Sequence, residues 1–353
     1  MRAITLVNKQ ISDFSQAYVI AEVGHNHGGD VGRAKELMSA AREAGASAVK
    51  LQKRQNATLY TRQMYNQPYG GRNSFGATYG EHREFLEFDR AEYEVLIAYA
   101  ADIGIDFFAT AFDEASVDFL VSFGLGMLKI ASADLTNSPL LRHAARAKLP
   151  LIVSTGGAAL DDVIEAHRVL KSEGADFALL QCTAAYPAPA ELLNINVIST
   201  YRGLFPTTVI GYSGHDVLRP VPPAAYALGA RIFERHFTLD RSARGSDHHF
   251  SMTPEDLREL VADLATVRAA LGSPVKNPVG EERAALNKMA KTMVTTQDLD
   301  EGTVLTEAHL VARTSGHEGI SPSRLSDLLG GIVTRRLPRG HILTLADFDA
   351  AEH

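Results

Sequence analysis

Over the first 270 or so residues, short apolar runs take turns with longer stretches in which apolar residues recur every three or four positions. Eight runs have the length and composition of strands: 17–22, 48–52, 106–110, 127–132, 150–155, 177–182, 207–213 and 231–236. Each is followed by a polar or Gly-rich turn and then by helical spacing. In 32–44, for example, Ala34, Leu37, Met38 and Ala41 fall on one helix face. The last helix of this part opens at Thr253-Pro254-Glu255-Asp256, an N-cap followed by a proline in the first turn and acids that complement the helix dipole. Eight strands interleaved with helices predict an α/β fold, a (β/α)8 TIM barrel over residues 1–272.

Three stretches interrupt the alternation. Residues 4–14, ahead of the first strand, predict a small hairpin that caps the barrel bottom. Residues 53–90 form a long insertion, whose 65–79 portion is rich in Gly, Asn and Tyr and reads as an ordered loop on the active face. Residues 273–287 contain Pro274, Pro278 and Gly280 and read as a linker. Beyond it, 288–353 carry short strand and turn patterns at 292–296, 303–305, 330–337 and 342–345. A β-rich domain of about 60 residues is near the lower limit for independent stability, so it is expected to dock on another surface.

The chain has 353 residues, 45% hydrophobic and 22% charged, which suits a soluble globular protein with a large core. Its net charge of -7 disfavours nucleic acid and anionic membranes as partners, so an anionic substrate needs a local cationic pocket. The single cysteine, Cys182, excludes an intrachain disulfide and fits a cytoplasmic setting. No apolar run is long enough to span a membrane, and no signal-peptide core is expected at the N-terminus.

The candidate chemistry sits at strand ends. His215 and His236 each close an apolar run, and residues two apart on a strand share a face, so Ser213 pairs with His215 and Glu234 with His236. If those strands are neighbours in a parallel sheet, two imidazoles stand side by side at the carboxyl edge, an arrangement suited to a divalent metal with open positions. Lys50, on one face with Gln52, and Lys129 lie on central strands, where an unpaired ammonium is costly. Either internal acids such as Glu22, Glu234 and Asp134 neutralise them, or they await a multiply charged ligand. Thr110, Ser132, Ser154 and Ser213, also at strand ends, would give that ligand a ring of hydroxyls suited to a phosphate plus a carboxylate.

Several runs resemble, in order, those of the sialic acid synthase family: Ala21-Glu22-Val23-Gly24-His25-Asn26-His27-Gly28-Gly29-Asp30, Ala48-Val49-Lys50-Leu51-Gln52, Leu128-Lys129-Ile130-Ala131-Ser132-Ala133-Asp134, Ser154-Thr155-Gly156, Gly211-Tyr212-Ser213-Gly214-His215, Glu234-Arg235-His236-Phe237 and Gly245-Ser246-Asp247-His248. The resemblance covers nearly the whole chain. It implies a barrel followed by an antifreeze-like (SAF) domain, and a transferase that condenses phosphoenolpyruvate with an open-chain hexosamine to give a nine-carbon 2-keto-3-deoxy sugar acid and phosphate. It also implies Mn²⁺ or Mg²⁺ on His215 and His236, with Glu22 handling a proton or steadying a cationic centre. Phosphoenolpyruvate would lie on Lys50, Thr110, Lys129, Ser132, Ser154 and Ser213, and the sugar on Gln52, Asp134, Tyr186 and Asp247. Arg313 resembles a small-domain arginine that reaches the partner subunit's sugar pocket, which implies a domain-swapped homodimer.

Three positions depart from the family pattern: Ala184, where a hydrogen-bonding side chain is common, Gly214, where Asp is common, and Thr314, where Pro is usual. Two other functions are weighed against the synthase. One is an aldolase or lyase that forms an imine on Lys50 or Lys129. The other is a non-catalytic sugar-binding homologue. The sugar is left open between neuraminate-, legionaminate- and pseudaminate-type products and an unusual higher sugar. The run Thr78-Tyr79-Gly80-Glu81-His82-Arg83 resembles relatives that use hexosamine 6-phosphates, and Arg62, Arg72 and Arg83 are candidates for phosphate contacts.

Overall fold

The computed structural model describes residues 2–350, and its chain divides into two units between Gly272 and Ser273. In the first unit a short antiparallel hairpin, β1 (Ala3–Leu6) and β2 (Lys9–Ser12), precedes eight parallel strands. These are β3 (Tyr18–Gly24), β4 (Ala48–Lys53), β5 (Asp106–Ala111), β6 (Leu128–Ile130), β7 (Leu151–Ser154), β8 (Phe177–Cys182), β9 (Val209–Gly214) and β10 (Ile232–His236). They pair in sequence order, and β10 closes the ring against β3. The expected barrel is therefore present, with all eight strands where the apolar runs lie.

Alternation along each strand builds two cores. One set of positions, including Val19, Ala21, Val49, Leu51, Phe107, Leu128, Val153, Leu179, Ile210 and Phe233, packs against the surrounding helices. The other set fills the barrel interior: Tyr18, Ile20, Ala48, Phe108, Met127, Ile152, Ala178, Val209 and Ile232. Ile4, Leu6 and Ile11 of the hairpin join this inner cluster, so the hairpin caps the amino-terminal end of the barrel. Two residues further along the same strands the interior positions turn polar: Glu22 after Ile20, Lys50 after Ala48, Thr110 after Phe108, Lys129 after Met127, Ser154 after Ile152 and Glu234 after Ile232. An apolar plug below and a polar layer above follow from one period-2 pattern.

The insertion after β4 is ordered, as expected. Short helices span Asn56–Leu59, Arg62–Tyr65 and Tyr79–Phe85, and Pro68 bridges Thr78 across the intervening loop. A capping box between Thr78 and Glu81 starts the third of these helices.

The second unit departs from the expected layout at its start. A helix over Gly280–Met289 begins inside the 273–287 stretch read as a linker and runs past its end, with Glu281 and Glu282 in its first turn and Lys288 in its last. Pro278 and Gly280 mark where that helix begins rather than the middle of a flexible link. The small domain contains β11 (Lys291–Thr295) antiparallel to β12 (Leu310–Thr314), and β13 (Ile332–Val333) antiparallel to β14 (Phe348–Asp349). Its own core gathers Met293, Leu299, Leu305, Leu310, Ile320, Leu328, Val333, Leu337, Leu343 and Phe348. The 303–305 run forms no strand; Val304 makes only an isolated bridge to Ile332.

Candidate active site

The polar upper layer of the barrel lines a cavity of about 490 Å³ at the carboxyl ends of the strands. Lys50 Nζ donates to Thr110 Oγ1 at 2.6 Å and lies 2.6 Å from Glu22 Oε2. Lys129 Nζ donates to Ser154 Oγ at 2.7 Å and to the Ile130 carbonyl at 2.9 Å. Glu234 Oε1 stands 3.7 Å from Lys50 Nζ and 3.9 Å from Lys129 Nζ. Ser132 Oγ accepts from the Gly156 amide at 2.9 Å, and Ser132 and Ser213 both face the cavity.

The bland account of the lysines is thus partly realised: Glu22 and Glu234 lie against them, while Asp134 makes no ion pair with either. Yet the cavity keeps a cationic surplus. Lys50, Arg54, Arg83 and Lys129 line it against the carboxylates Glu22, Glu234 and Asp247. In a chain of net charge -7, this is the local positive pocket that an anionic substrate requires.

Burial governs the titration of these groups. It lifts the Glu22 carboxyl above its ordinary range against the pull of Lys50, and it pushes the Lys129 ammonium down. Burial also opposes ionisation of Glu234, but the two ammonium groups, Lys129 first and then Lys50, outweigh it and hold that carboxyl low. Glu22 is the carboxyl closest to taking up a proton. Its position is fixed by Lys50 on one oxygen and by Gln52 Nε2, 2.7 Å from the other. Gly24 follows at φ +53°, and a Cβ there would meet Gln52 Nε2 and Glu22 Oε1 at 3.2 Å each, so glycine clears room for this pair.

The two histidines come together as expected. β9 and β10 pair with Ser213 opposite Glu234, and the rings of His215 and His236 lie 5.4 Å apart. His215 Nδ1 donates to the Thr183 carbonyl at 2.9 Å, which leaves Nε2 as the nitrogen available to a cation. His236 Nδ1 is buried without a hydrogen-bond partner, 3.8 Å from Asp247 Oδ2. Burial holds His236 below its ordinary value and so favours the neutral form. Two adjacent imidazoles, one of them with an unsatisfied nitrogen, fit a divalent cation. Among the described residues no group of three or more His, Cys, Asp or Glu forms a ready-made cage, so other coordination positions would fall to water or substrate.

Gln52, Tyr186 and Asp247 also line the cavity, and the Tyr186 ring lies 4.1 Å from that of His215. Asp134 does not line it. It sits in the turn Ser132–Asp134 and accepts from Asn137 Nδ2 at 3.2 Å, because strand alternation ends at Ile130. Arg313 belongs to the second unit, exposed on β12. Of the three candidate phosphate arginines only Arg83 reaches the cavity. Arg54, His25, His249 and Phe250 line it too and were not singled out. Arg54 was legible, since it continues the 50, 52, 54 alternation one step past Gln52. Ala184 lines a neighbouring cavity instead.

Comparisons with known proteins agree with this architecture. Residues 37–276 match the NeuB family, and residues 291–349 match the SAF domain. The chain is 39% identical over 313 residues to an N-acetylneuraminate-9-phosphate synthase of Homo sapiens, covering 89% of this chain and 87% of that protein. It is 36% identical to an N,N'-diacetyllegionaminic acid synthase of Legionella pneumophila, covering 94% and 95%. A crystal structure of N-acetylneuraminic acid (sialic acid) synthetase from Leptospira borgpetersenii, in complex with citrate, superposes with a TM-score of 0.72 at 32% identity, over 81% of this chain and 95% of that one.

Proposed function

The chain belongs to the NeuB family and carries a SAF domain, and from that premise we propose that it is a nonulosonic acid synthase, a transferase that condenses phosphoenolpyruvate with an open-chain hexosamine. The observation that carries the reading is the pairing of two lysines with strand-end hydroxyls beside the histidine pair. Lys50 with Thr110 and Lys129 with Ser154 offer two cationic hydroxyl-flanked positions in one cavity. A ligand bearing both a carboxylate and a phosphate matches them. Ser132 and Ser213 complete the ring of hydroxyls around it.

His215 and His236 would hold Mn²⁺ or Mg²⁺, which supplies Lewis-acid polarisation of an aldehyde oxygen when bound. Tyr186, Asp247 and Gln52 orient the sugar so that its aldehyde carbon meets C3 of phosphoenolpyruvate. A C–C bond then forms and positive charge develops at C2. Glu22, set between Lys50 and Gln52, steadies that charge and takes the proton of the water that adds at C2, which balances the proton gained by the former aldehyde oxygen as it becomes a hydroxyl. The tetrahedral intermediate collapses with C–O cleavage, leaving a keto acid and inorganic phosphate. The lysines hold the departing anion throughout. Asp134 has a place in the reading only through the resemblance of its motif.

The homodimer, and Arg313 as a residue one copy lends to another, rest on the resemblance around Val311-Ala312-Arg313. The cytoplasmic setting is supported by the lone cysteine, and no helix of the described residues is long and apolar enough to cross a membrane. The relatives' names differ as to phosphorylation of the product, so the family leaves that property of the sugar open.

The test is release of inorganic phosphate from phosphoenolpyruvate in the presence of each of a panel of hexosamines, with mass spectrometry of the product. Appearance of the aldehyde mass plus that of pyruvate, in step with phosphate, is the expected result. Phosphate release independent of any aldehyde, or none with any panel member, would overturn the reading.

A further inference from the structure

One wall of the cavity is a run of hydrogen bonds that begins at Lys50 and passes through Glu22 and Gln52 to Arg54, His25 and Arg83. The first half is balanced, with a carboxylate facing an ammonium. The second half is not. Arg54 Nη1 lies 3.1 Å from His25 Nε2, and Arg83 Nη1 lies 3.1 Å from His25 Nδ1. A neutral imidazole has one nitrogen that accepts and one that donates. Only one guanidinium can therefore be received by His25; at the other nitrogen two N–H groups face each other. Burial, followed by the two guanidiniums, holds His25 well below its ordinary value, so protonation would only add a further donor.

The remaining partners do not remove this surplus. Arg54 is buried; it donates through Nη2 to Gln52 Oε1 at 2.8 Å and stacks on Phe112 at 3.6 Å. Arg83 donates to Tyr79 Oη at 3.0 and 2.8 Å through Nε and Nη2. Among the described residues neither guanidinium is within ion-pair distance of a carboxylate, although Glu87 is ion-paired nearby with Lys53. A buried guanidinium without a counter-ion is costly, and donors that converge on a cavity wall are satisfied by an anion entering it. Both arginines line that cavity.

We infer that Arg54, His25 and Arg83 form a second anion site, distinct from the lysine pair, that receives a phosphate monoester on the end of the acceptor sugar remote from its aldehyde. The inference rests on the synthase reading for what the lysine pair holds, and it selects among the acceptors that reading allows: a hexosamine 6-phosphate rather than the free hexosamine. Arginine's planar fork gives paired hydrogen bonds to phosphate oxygens, and two guanidiniums spaced by the His25 ring match a dianion. Arg83 comes from the insertion after β4, so the insertion sets acceptor specificity while the barrel strands hold the other substrate.

The experiment has a binding arm and a turnover arm, both on the full chain. Isothermal titration compares N-acetylmannosamine and N-acetylglucosamine, each with and without a 6-phosphate, on the wild-type chain and on Arg83→Gln. The 6-phosphates should bind on the order of 100-fold more tightly than the free sugars, the scale of one or two charge-assisted hydrogen bonds. Arg83→Gln should lose most of that difference while binding phosphoenolpyruvate as before, which also shows that it is folded. A second variant, Arg54→Lys, keeps the charge but loses the fork and should fall between the two. Phosphate release gives the second arm, with kcat/KM favouring the 6-phosphates. Equal binding of free and phosphorylated sugars, or a phosphate preference untouched in both variants, overturns the inference and leaves the synthase reading standing. A phosphate preference that the variants abolish, with no turnover of any acceptor, upholds the anion site and overturns the synthase reading instead.

Discussion

Arg235 and Asp216 tie together the two strand ends that present His215 and His236. Arg235 Nη1 donates to Asp216 Oδ2 at 2.7 Å, Nη2 reaches the Asp216 carbonyl, and Tyr212 Oη donates to the same carboxylate oxygen at 2.6 Å. Each charged residue is the chain neighbour of one histidine, and both are sealed from solvent. This pair also accounts for Gly214, one of the departures from the resembled motif. A Cβ there would run into the Arg235 guanidinium and come within 2.8 Å of Asp216 Oδ2. The carboxylate beside the histidine is supplied from position 216, and position 214 has to stay bare.

Removing one member of this pair should therefore be severe. Arg235→Met leaves a buried aspartate without its partner, and a loss of about 3–5 kcal/mol is expected. Arg235→Met combined with Asp216→Leu should recover part of that loss, because no buried charge is then left over. Urea unfolding of Arg235→Met, of Asp216→Leu and of the double variant checks this. A double variant no more stable than the worse single one would show that packing of the two side chains, rather than their charge, holds the strand ends.

Activity should require a divalent ion. Dialysis against chelator is expected to abolish phosphate release, and Mn²⁺ or Mg²⁺ to restore it. His236→Ala should be inactive under all these conditions, since it removes the imidazole whose Nδ1 is buried without a partner. Full activity in a sample shown by elemental analysis to be free of metal would remove the cation from the reaction.

The barrel was readable from the chain because its strands are short apolar runs at regular intervals, and because one alternation rule sorts both core and site. That rule brought Lys50, Thr110, Lys129, Ser154 and Glu234 to one cavity. It stops where strands stop. Asp134 lies in a turn after β6, and the rule has no hold on which way it points. Arg83 and His25 meet through a pairing between the insertion and the first barrel loop, 58 positions apart, which no local pattern encodes. The helix Gly280–Met289 was hidden by proline and glycine residues that mark its start. β12 reads Leu-Val-Ala-Arg-Thr without alternation, and only its partner β11 makes it a strand.

The lysines should bind anions without forming an imine. Burial pushes the Lys129 ammonium down, a property imine-forming lysines share, so the alternative has a physical footing. Against it, Lys129 Nζ is held by Ser154 and the Ile130 carbonyl, and Lys50 Nζ by Glu22 and Thr110. Borohydride added during turnover should leave the protein mass unchanged. A reduced substrate adduct on either lysine would favour the aldolase.

Stability should fall as the solution is acidified from neutrality to pH 5. Burial pulls His27 from 6.5 down to about 3, and His82 and His167 to about 4. A folded state that binds its protons at lower pH than the unfolded chain has full stability above the unfolded value, near 6.5. It loses stability as the pH drops through the window down to the folded value. His27 is the cleanest of the three. It is buried, stacks on Phe88 at 4.1 Å, and its Nδ1 accepts from the Gly29 amide at 3.0 Å, so a proton there would displace a hydrogen bond. Its share approaches about 1.4 kcal/mol for each pH unit below 6.5. Comparison at pH 7.5 and 5 keeps most carboxylates ionised in both states. His27→Asn offers the Gly29 amide an oxygen in place of Nδ1 and cannot titrate. The variant is expected to be less stable at pH 7.5, having lost the ring stack, yet to show a smaller drop in urea midpoint on going to pH 5. If wild type and variant lose stability in parallel, His27 is not held neutral by its burial, and the acid sensitivity belongs to other groups.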